Sequence, residues 1–336
     1  MTREKKKLTP LRVLGRILAG LLALILLAAL VLVALPLTEG VDKAPVEGSA
    51  DWMAALPDET PLGRIVLPGT HDSATQYVQL AFFSKCQGLS IGRQLEAGYR
   101  YLDIRLGTDE GAEAFKLMHG FTNCKTSALR SDALYLDAVL ADCYAFLAAH
   151  PTETVLFAVK YEHGDLPVAE VQRMLAAAIF EHPELWLLTD SLPALGEARG
   201  KLVLLRRWAD EAGLGAAAGV PLLWADQKGH EDVGPDAAEE PQPGYTLWVQ
   251  DRFEYGTADK WAAFTRGMEK AAGRADGDAA IHFLSTKGTA AYGHPYKYAK
   301  ALNPQLMAMP ELDGWIVVDF ASARLAEHIY GMNFAA

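Results

Sequence analysis

Cysteine is scarce in this chain, which contains three in 336 residues, at Cys86, Cys124 and Cys143. No spacing of cysteine and histidine resembles a zinc site, so a zinc-built module is not expected. Cys143 falls on the apolar face of a predicted helix and is expected to be a buried thiol. Cys86 and Cys124 fall in predicted loops, and they are the expected partners if a disulfide forms in an outward-facing domain.

Positive charge is sparse after the N-terminus. Residues 1–16 carry a net charge of +5, whereas the remainder carries −16 and the whole chain −11. A protein that binds nucleic acid needs a basic surface against the phosphates, so nucleic acid is not an expected partner. A glycine run at Gly213, Gly215 and Gly219 faintly resembles a dinucleotide loop, but no strand leads directly into it, which excludes that site as well.

Long apolar runs are also absent, with one exception at residues 17–35, where there is no charged residue. At about 1.5 Å per helical residue this run spans close to 30 Å, the thickness of a bilayer core. The preceding basic residues favour a cytoplasmic N-terminus and an extracytoplasmic domain. A cleaved signal peptide is the alternative, but its apolar segment is usually about 7–15 residues long. We therefore expect a basic cytoplasmic N-terminus at 1–16, a transmembrane anchor at 17–37, a spacer at 38–50 and a catalytic domain at 51–336.

The catalytic domain contains eight short apolar segments, most of them separated by helical patterns. Such strands suit a parallel sheet buried on both faces, and their alternation with helices predicts an α/β fold of the (β/α)8 TIM-barrel type. The predicted strands cover residues 65–67, 99–105, 115–120, 154–160, 201–205, 246–251, 281–285 and 315–319. The acidic segment 209–244 is predicted to be mostly an elaborated loop.

Most predicted strands end in a charged or polar residue. In a parallel barrel the carboxyl ends of the strands meet at one mouth, so these side chains are expected to share a cleft. Two histidines near acids suit proton transfer at neutral pH, and the cations suit an anionic phosphate. The pattern indicates phosphodiester cleavage in which one imidazole is the base and the other the acid. The residues concerned are His71, Arg105, His119, Lys160, Arg207, Asp251 and Asp319.

Four blocks of the sequence resemble the signature blocks of the phosphatidylinositol-specific phospholipase C family. They are Leu-Pro-Gly-Thr-His71-Asp72-Ser, Tyr-Leu-Asp103-Ile-Arg105, Met-His119-Gly and Val-Gln-Asp251. The resemblance is greatest to the bacterial, metal-independent branch, and it extends from about residue 64 to residue 319. It implies a distorted TIM barrel that cleaves inositol phospholipids to diacylglycerol and a 1,2-cyclic inositol phosphate.

The resemblance also implies roles for individual residues. His71 would be the base that activates the inositol 2-hydroxyl, oriented by Asp319. His119 would be the acid that protonates the leaving glycerol oxygen, assisted by Asp72, while Arg105 would stabilise charge on the phosphate. The implied substrate-binding residues are Lys160, Arg207 and Asp251 for the inositol hydroxyls, Phe253 as a stacking ring where the family often has tyrosine, and Asp103.

The identity of residue 105 favours catalysis without a metal. Calcium-dependent relatives have an acid in place of Arg105 and an asparagine in place of Asp72, and a hard cation needs several oxygen ligands. No metal and no other cofactor is therefore expected. The expected partners are an inositol phospholipid and the bilayer that holds the anchor. Two alternatives stay open: a barrel phosphodiesterase acting on glycerophosphodiesters, and a non-catalytic barrel that binds an anionic lipid headgroup.

Overall fold

The computed structural model describes residues 9–40, 43–111, 113–229, 237–291 and 293–335. Residues 1–8 of the predicted cytoplasmic segment, residues 41–42 of the predicted spacer and residues 230–236 of the acidic segment lie outside the described residues. The described chain begins with a helix formed by α1 (Pro10–Ala29), a π-helical turn (Leu30–Ala34) and α2 (Leu35–Thr38). By length and composition it is the one helix among the described residues that can cross a membrane.

The rest of the described chain is built on a twelve-stranded sheet. Its strands are β1 (Leu67–Thr70), β2 (Tyr101–Gly107), β3 (Lys116–His119), β4 (Thr122–Asn123), β5 (Val155–His163), β6 (Trp186–Leu187), β7 (Leu202–Arg206), β8 (Val220–Pro221), β9 (Ala238–Gln242), β10 (Tyr245–Gln250), β11 (Ala279–Phe283) and β12 (Trp315–Val318). The main path of the sheet has the order β6-β7-β5-β2-β1-β12-β11-β10-β9. Every neighbouring pair on this path is parallel except β9 with β10.

The third predicted strand does not belong to the parallel barrel, and that part of the prediction is wrong. It is present as β3, but β3 runs antiparallel to β2 and forms a hairpin with β4. The turn of this hairpin contains Gly120, whose φ of 56° lies in the left-handed region that favours glycine. The segment predicted as a loop instead supplies β8, which pairs in parallel with β7.

Helices cover the outside of the sheet. Their bounds are α3 (Ala81–Ser84), α4 (Ile91–Glu96), α5 (Leu136–Ala149), α6 (Val168–Ile179), α7 (Leu195–Ala198), α8 (Thr257–Ala271), α9 (Pro295–Leu306) and α10 (Ala323–Gly331). Serine side chains cap two of them, because Ser90 accepts a hydrogen bond from the backbone N–H of Arg93 and Ser322 accepts one from Leu325. These caps fix where the chain turns from the mouth of the barrel into α4 and α10.

Alternate residues along β2, β5 and β7 separate the core into two parts. Leu102 and Ile104 of β2 pack outward in a cluster that includes residues of α4, α5 and α6. Tyr101 of β2, Leu156 of β5 and Trp315 of β12 belong to the other cluster. Because successive side chains of a strand point to opposite faces, this division is what a sheet buried on both sides requires. The α/β barrel-type fold is confirmed by the comparison with solved structures reported below.

The barrel is open on one side. Within the described part of the chain, no strand ladder joins β8 to β9 or β10. The side chain of Gln242 spans this gap: its Oε1 accepts a hydrogen bond from Leu223 N at 3.0 Å, and its Nε2 donates one to Leu223 O at 2.8 Å. The sheet is therefore a distorted barrel in which one side-chain amide replaces a length of backbone pairing.

The segment that follows the apolar helix is docked on the catalytic domain. Lys85, just after α3, donates a hydrogen bond from Nζ to Pro36 O at 2.8 Å. Tyr296 of α9 donates from its hydroxyl to Gly40 O at 3.1 Å, and His294 pairs with the buried carboxylate of Glu39. Lys85 thus holds the end of the apolar helix, and the first residues of the predicted spacer are fixed against the N-terminal end of α9.

Candidate active site

The first motif folds as a strand followed by a tight turn that carries His71. Gly69 lies in the middle of β1, where a Cβ would be 3.0 Å from Tyr101 Cβ and 3.1 Å from a methyl group of Val317. Glycine is therefore required for β1 to pack between β2 and β12. His71 N donates a hydrogen bond to Val318 O at 3.0 Å, so the strand pairing continues up to the histidine.

The turn after His71 is strained and held by its neighbours. Asp72 has a φ of 44°, a value that costs a non-glycine residue energy unless the surroundings enforce it. Its N–H donates to Asp103 Oδ2 at 3.1 Å. On the other side, Gln87 Nε2 donates to both His71 O and Val318 O, which ties the ends of β1 and β12 together. The position of His71 is therefore set by the backbone on both sides.

Both candidate catalytic histidines face the same buried carboxylate. His71 Nε2 and His119 Nδ1 each lie 3.2 Å from Asp72 Oδ2, and the two rings are 6.2 Å apart between centroids. The other ring nitrogen of His71, Nδ1, is hydrogen bonded to Asp319 Oδ1 at 2.8 Å. Asp319 follows β12 and Asp72 follows β1, so neighbouring strands deliver both carboxylates to one imidazole.

These carboxylates control the protonation of His71. Burial on its own would lower the pKa of the ring, but the charges of Asp72 and Asp319 and the hydrogen bond from Asp319 outweigh it. The pKa is consequently raised from its ordinary value to about 9. At neutral pH His71 is therefore protonated. Its Nε2 has to lose this proton before it can act as a base.

Arg105 is enclosed by three acids. Its guanidinium lies 3.2 Å from Asp72 Oδ1, 3.0 Å from Asp103 Oδ2 and 3.2 Å from Glu162 Oε1. Burial favours the neutral form of Arg105, but the three carboxylates raise its pKa above its ordinary value. Lys160 adds a second cation 3.1 Å from Glu162. The site therefore contains fixed positive charge that is compensated by neighbouring acids, of which Asp72 and Glu162 also line the cavity.

The cavity in front of these groups has a volume of about 260 Å³. Nine of the ten predicted catalytic and substrate-binding residues line it. They are His71, Asp72, Arg105, His119, Lys160, Arg207, Asp251, Phe253 and Asp319. The exception is Asp103, which was predicted to bind substrate. It is buried and does not line the cavity; its carboxylate contacts Arg105 and the backbone of Asp72 instead.

The far side of the cavity is organised by a residue that the sequence did not single out. The guanidinium carbon of Arg207 lies 3.0 Å from the ring centroid of Trp224, and Trp224 Nε1 donates a hydrogen bond to Asp251 Oδ2 at 3.2 Å. Trp224 thus contacts both Arg207 and Asp251, two of the predicted substrate-binding residues, and holds them on the same side of the cavity. It lies in the segment predicted as a loop, where a lone tryptophan gave no signal of its role.

Glu162 was missed as well, although the sequence contained a signal for it. It lies two residues after Lys160 in β5, and residues two apart in a strand share a face. Its side chain is only 13% exposed and contacts both Arg105 and Lys160. These cations lower its pKa well below the usual range, against the effect of burial. Glu162 is therefore an ionised part of the site.

The expected disulfide is not formed in the structure. Cys86 and Cys124 are free thiols, and both are completely buried. Cys86 lines the cavity, with its Sγ 3.6 Å from His119 Nδ1, and Cys124 packs in the cluster beneath α4 to α6. The pairing of these two cysteines under oxidising conditions stays a prediction. Cys143 is a buried thiol in α5, as expected.

Comparison with known proteins identifies relatives of the chain, although no family model matches it. The 1-phosphatidylinositol phosphodiesterase of Staphylococcus aureus strain Newman is 25% identical over 303 residues, which cover 84% of this chain and 91% of the relative. The protein of the same name from Listeria monocytogenes is 29% identical over 179 residues, or 48% of this chain and 50% of the relative.

Solved structures share the fold over most of the chain. A phosphatidylinositol-specific phospholipase C from Staphylococcus aureus superposes with a TM-score of 0.70 at 23% identity, covering 84% of this chain and 97% of that one. The enzyme from Listeria monocytogenes gives a TM-score of 0.62 at 21% identity, covering 85% and 98%. The sequence similarity confirms the resemblance indicated by the motifs, and the solved structures show that the chain shares the fold of the bacterial phosphatidylinositol-specific phospholipases C.

Proposed function

We propose that the chain cleaves phosphatidylinositol-type lipids to diacylglycerol and a 1,2-cyclic inositol phosphate, by acid–base catalysis between two histidines and without a metal. The observation that carries this proposal is the arrangement of His71 and His119 around Asp72. Both rings lie 3.2 Å from one carboxylate oxygen, with the guanidinium of Arg105 on its other oxygen. Two proton-transfer groups and a phosphate-binding cation therefore lie within one cavity.

In this proposal His71 is the general base. Asp319 holds Nδ1, so Nε2 is the nitrogen that accepts the proton of the inositol 2-hydroxyl. As this proton leaves, the hydroxyl oxygen forms a bond to phosphorus. Asp319 also stabilises the imidazolium that results, in the same way that a buried carboxylate supports a histidine base in other enzymes.

His119 is the general acid. Its Nδ1 faces Asp72, which leaves Nε2 to donate a proton to the glycerol oxygen as the bond from phosphorus to that oxygen breaks. Arg105 neutralises the charge that the phosphate oxygens carry during the exchange, and its planar donors match those oxygens. Lys160, Arg207 and Asp251 bind the inositol hydroxyls, and Phe253 offers a ring face. In this mechanism a side chain of the cavity assists both the formation of the new bond to phosphorus and the release of the glycerol oxygen.

Phosphorus NMR of the products tests this function. The full chain is incubated with phosphatidylinositol in detergent micelles and a large excess of chelator. We expect the signal of a five-membered cyclic phosphate to appear, with diacylglycerol released in equal amount. Because only the neutral ring of His71 can accept a proton, and its pKa is about 9, the rate with a substrate whose leaving group needs no proton is expected to rise as the pH is raised from 7 toward 9.

Other products would support the other candidate functions. Loss of activity in chelator, with glycerophosphodiesters as the better substrates, would favour the glycerophosphodiester reaction. Binding of phosphatidylinositol with no turnover at any pH would favour the headgroup-binding barrel. With the substrate whose leaving group needs no proton, a rate that fell steadily between pH 7 and pH 9 would contradict the role of His71 as base.

We also propose that the N-terminal helix anchors the domain in a membrane, with the N-terminus in the cytoplasm and the catalytic domain outside. The helix from Pro10 to Thr38 is apolar, its residues 10–30 are exposed, and a helix of this kind is stable in hydrocarbon. The basic residues that precede it favour this orientation. A protease added to intact spheroplasts should therefore digest the domain.

Reversed sidedness would disprove the orientation. If the domain resisted protease until the membrane was opened by detergent, the catalytic domain would be on the cytoplasmic side. Recovery of the domain in the soluble fraction without its first forty residues would instead show that the helix is removed as a signal sequence. A cytoplasmic protein of the same cells serves as the control for membrane integrity.

A further inference from the structure

A thiol is placed among the proton-transfer groups, although the proposed reaction does not use it. Cys86 Sγ lies 3.6 Å from His119 Nδ1, and that nitrogen lies 3.2 Å from Asp72 Oδ2. One ligand atom from each of these three side chains lies within 4.8 Å of the other two. The cavity therefore contains a nitrogen, an oxygen and a sulfur at the spacing of a metal site.

The carboxylate of Asp72 lies at the centre of this cluster. Its side chain is completely buried, and no contact from the described residues to either oxygen has the geometry of a hydrogen bond. Oδ1 lies 3.2 Å from the guanidinium of Arg105, and Oδ2 lies 3.2 Å from both His71 Nε2 and His119 Nδ1. Buried carboxylate oxygens are almost always hydrogen bonded or bound to a cation, because a missing partner costs free energy. Oδ2, which has no guanidinium beside it, is the oxygen that a metal ion would bind.

The donor set selects the kind of metal. Zinc binds imidazole nitrogen, carboxylate oxygen and thiolate sulfur in a tetrahedron, with bonds of about 2.0–2.3 Å. Such bonds place a nitrogen and an oxygen ligand about 3.3 Å apart, and a nitrogen and a sulfur ligand about 3.6 Å apart. The observed separations of 3.2 Å and 3.6 Å match these values. Calcium and magnesium need more oxygen ligands than this cluster supplies.

We propose that Asp72, Cys86 and His119 form a binding site for zinc or a chemically similar divalent ion, and that occupation of this site inhibits the enzyme. The ion would take the lone pair of His119 Nδ1, one oxygen of Asp72 and the sulfur of Cys86. The thiol loses its proton to solvent as the bond from sulfur to the metal forms. The fourth position faces the cavity, where the side chain of His119 is 26% exposed, and is filled by water.

Inhibition follows from the roles of the ligands and rests on the proposed function. With Nδ1 bound to the metal, the ring of His119 cannot become an imidazolium, and its Nε2–H is then too weak an acid to protonate the leaving glycerol oxygen. Arg105 and the protonated His71 oppose the ion, because each lies 3.2 Å from the same carboxylate. The ion is therefore expected to bind reversibly and to be removed by a chelator, unlike the ion of a closed structural site.

The binding part of the proposal is tested without substrate. Cobalt(II) reports thiolate coordination through a charge-transfer absorption band, so the full chain in detergent is titrated with cobalt and then with zinc. We expect the wild type to show the band at one equivalent and to lose it when zinc is added. Cys86→Ala and Cys86→Ser should lack the band, and Cys143→Ala, which removes another buried thiol, should keep it.

The inhibitory part is tested by activity toward phosphatidylinositol at increasing zinc, each variant being compared with its own rate in chelator. The wild type and Cys143→Ala should lose activity and regain it in chelator. For the two Cys86 variants the inhibitory zinc concentration should rise by at least about tenfold. The thermal melting curve of each variant shows whether it is folded, and the serine variant keeps nearly the size of the thiol.

Several results would overturn the proposal. They are an unchanged cobalt band in folded Cys86→Ala or Cys86→Ser, zinc inhibition that does not depend on Cys86, and activation by zinc. If the protein bound cobalt through Cys86 but did not cleave phosphatidylinositol, the metal site would be supported and the proposed function would be wrong. The two proposals can therefore fail separately.

Discussion

Replacing His119 with alanine should lower the rate of phosphatidylinositol cleavage by about a hundredfold or more, because one positioned proton-transfer group contributes about 10²–10⁴. The loss should depend on the leaving group. A substrate whose leaving group is already a stable anion, such as a nitrophenol ester of inositol phosphate, needs no proton from an acid. We therefore expect this substrate to restore most of the rate of His119→Ala.

His71→Ala should behave differently with the same pair of substrates. The base is needed to activate the 2-hydroxyl whatever group leaves, so the variant should be slow with both. His182→Ala is the matched control, since His182 lies on the surface next to Glu184 and is absent from the cavity. Steady-state rates on both substrates decide the matter. Equal losses for His71→Ala and His119→Ala on both substrates would show that the roles of acid and base are assigned wrongly.

Replacing Arg105 with aspartate should also lower the rate of phosphatidylinositol cleavage severely. In the proposed mechanism the guanidinium supplies charge-assisted hydrogen bonds to the phosphate, and removing one such donor from an enzyme typically costs about 10²–10³ in rate. The change also leaves four carboxylates together, because the new one joins Asp72, Asp103 and Glu162. In chelator the variant should be nearly inactive.

The same four carboxylates are expected to bind calcium, which accepts six to eight oxygen ligands in a flexible arrangement. Calcium should therefore raise the melting temperature of Arg105→Asp and restore part of its activity, while the wild type should respond to neither calcium nor chelator. Arg173→Asp, on the exposed side of α6, introduces the same change of charge away from the cavity. Rescue of that control by calcium, or loss of wild-type activity in chelator, would contradict the idea that Arg105 replaces a metal.

The strand-end residues could be predicted from the sequence because a parallel sheet fixes their position by topology alone. His71, Lys160 and Asp319 each follow or end an apolar run, and parallel strands deliver such residues to one mouth whatever the loops do. The barrel type could be predicted for the same reason. For these residues, the periodicity of the strands and the connection rules of α/β folds are enough to predict that they lie at one mouth of the barrel.

Strand direction and loop contacts could not be predicted in this way. A strand such as residues 115–120 has the same pattern of side chains whether it pairs in parallel or antiparallel. The pattern therefore predicts a barrel strand where the structure has the β3–β4 hairpin. The environment of Cys86 depends on how α3 packs on the mouth, and that of Trp224 on a loop without periodicity. Glu162 differs from these, because its spacing from Lys160 was visible and only its ionic partners were not.

The hydrogen bonds at Pro36 and Gly40 fix the end of the apolar helix, and the residues that follow it, against the rim of the barrel. Phe83 of α3 and Pro295 of α9 line the cavity. Lys85, just after α3, and Tyr296 of α9 make the two hydrogen bonds. Under the proposed membrane anchoring, a loose tether would let the domain sample many heights and tilts, whereas these hydrogen bonds would keep its opening at a set distance from the lipid surface. Encounters with substrate would then be a two-dimensional search within a single leaflet, and each molecule would be restricted to the lipids of its own membrane.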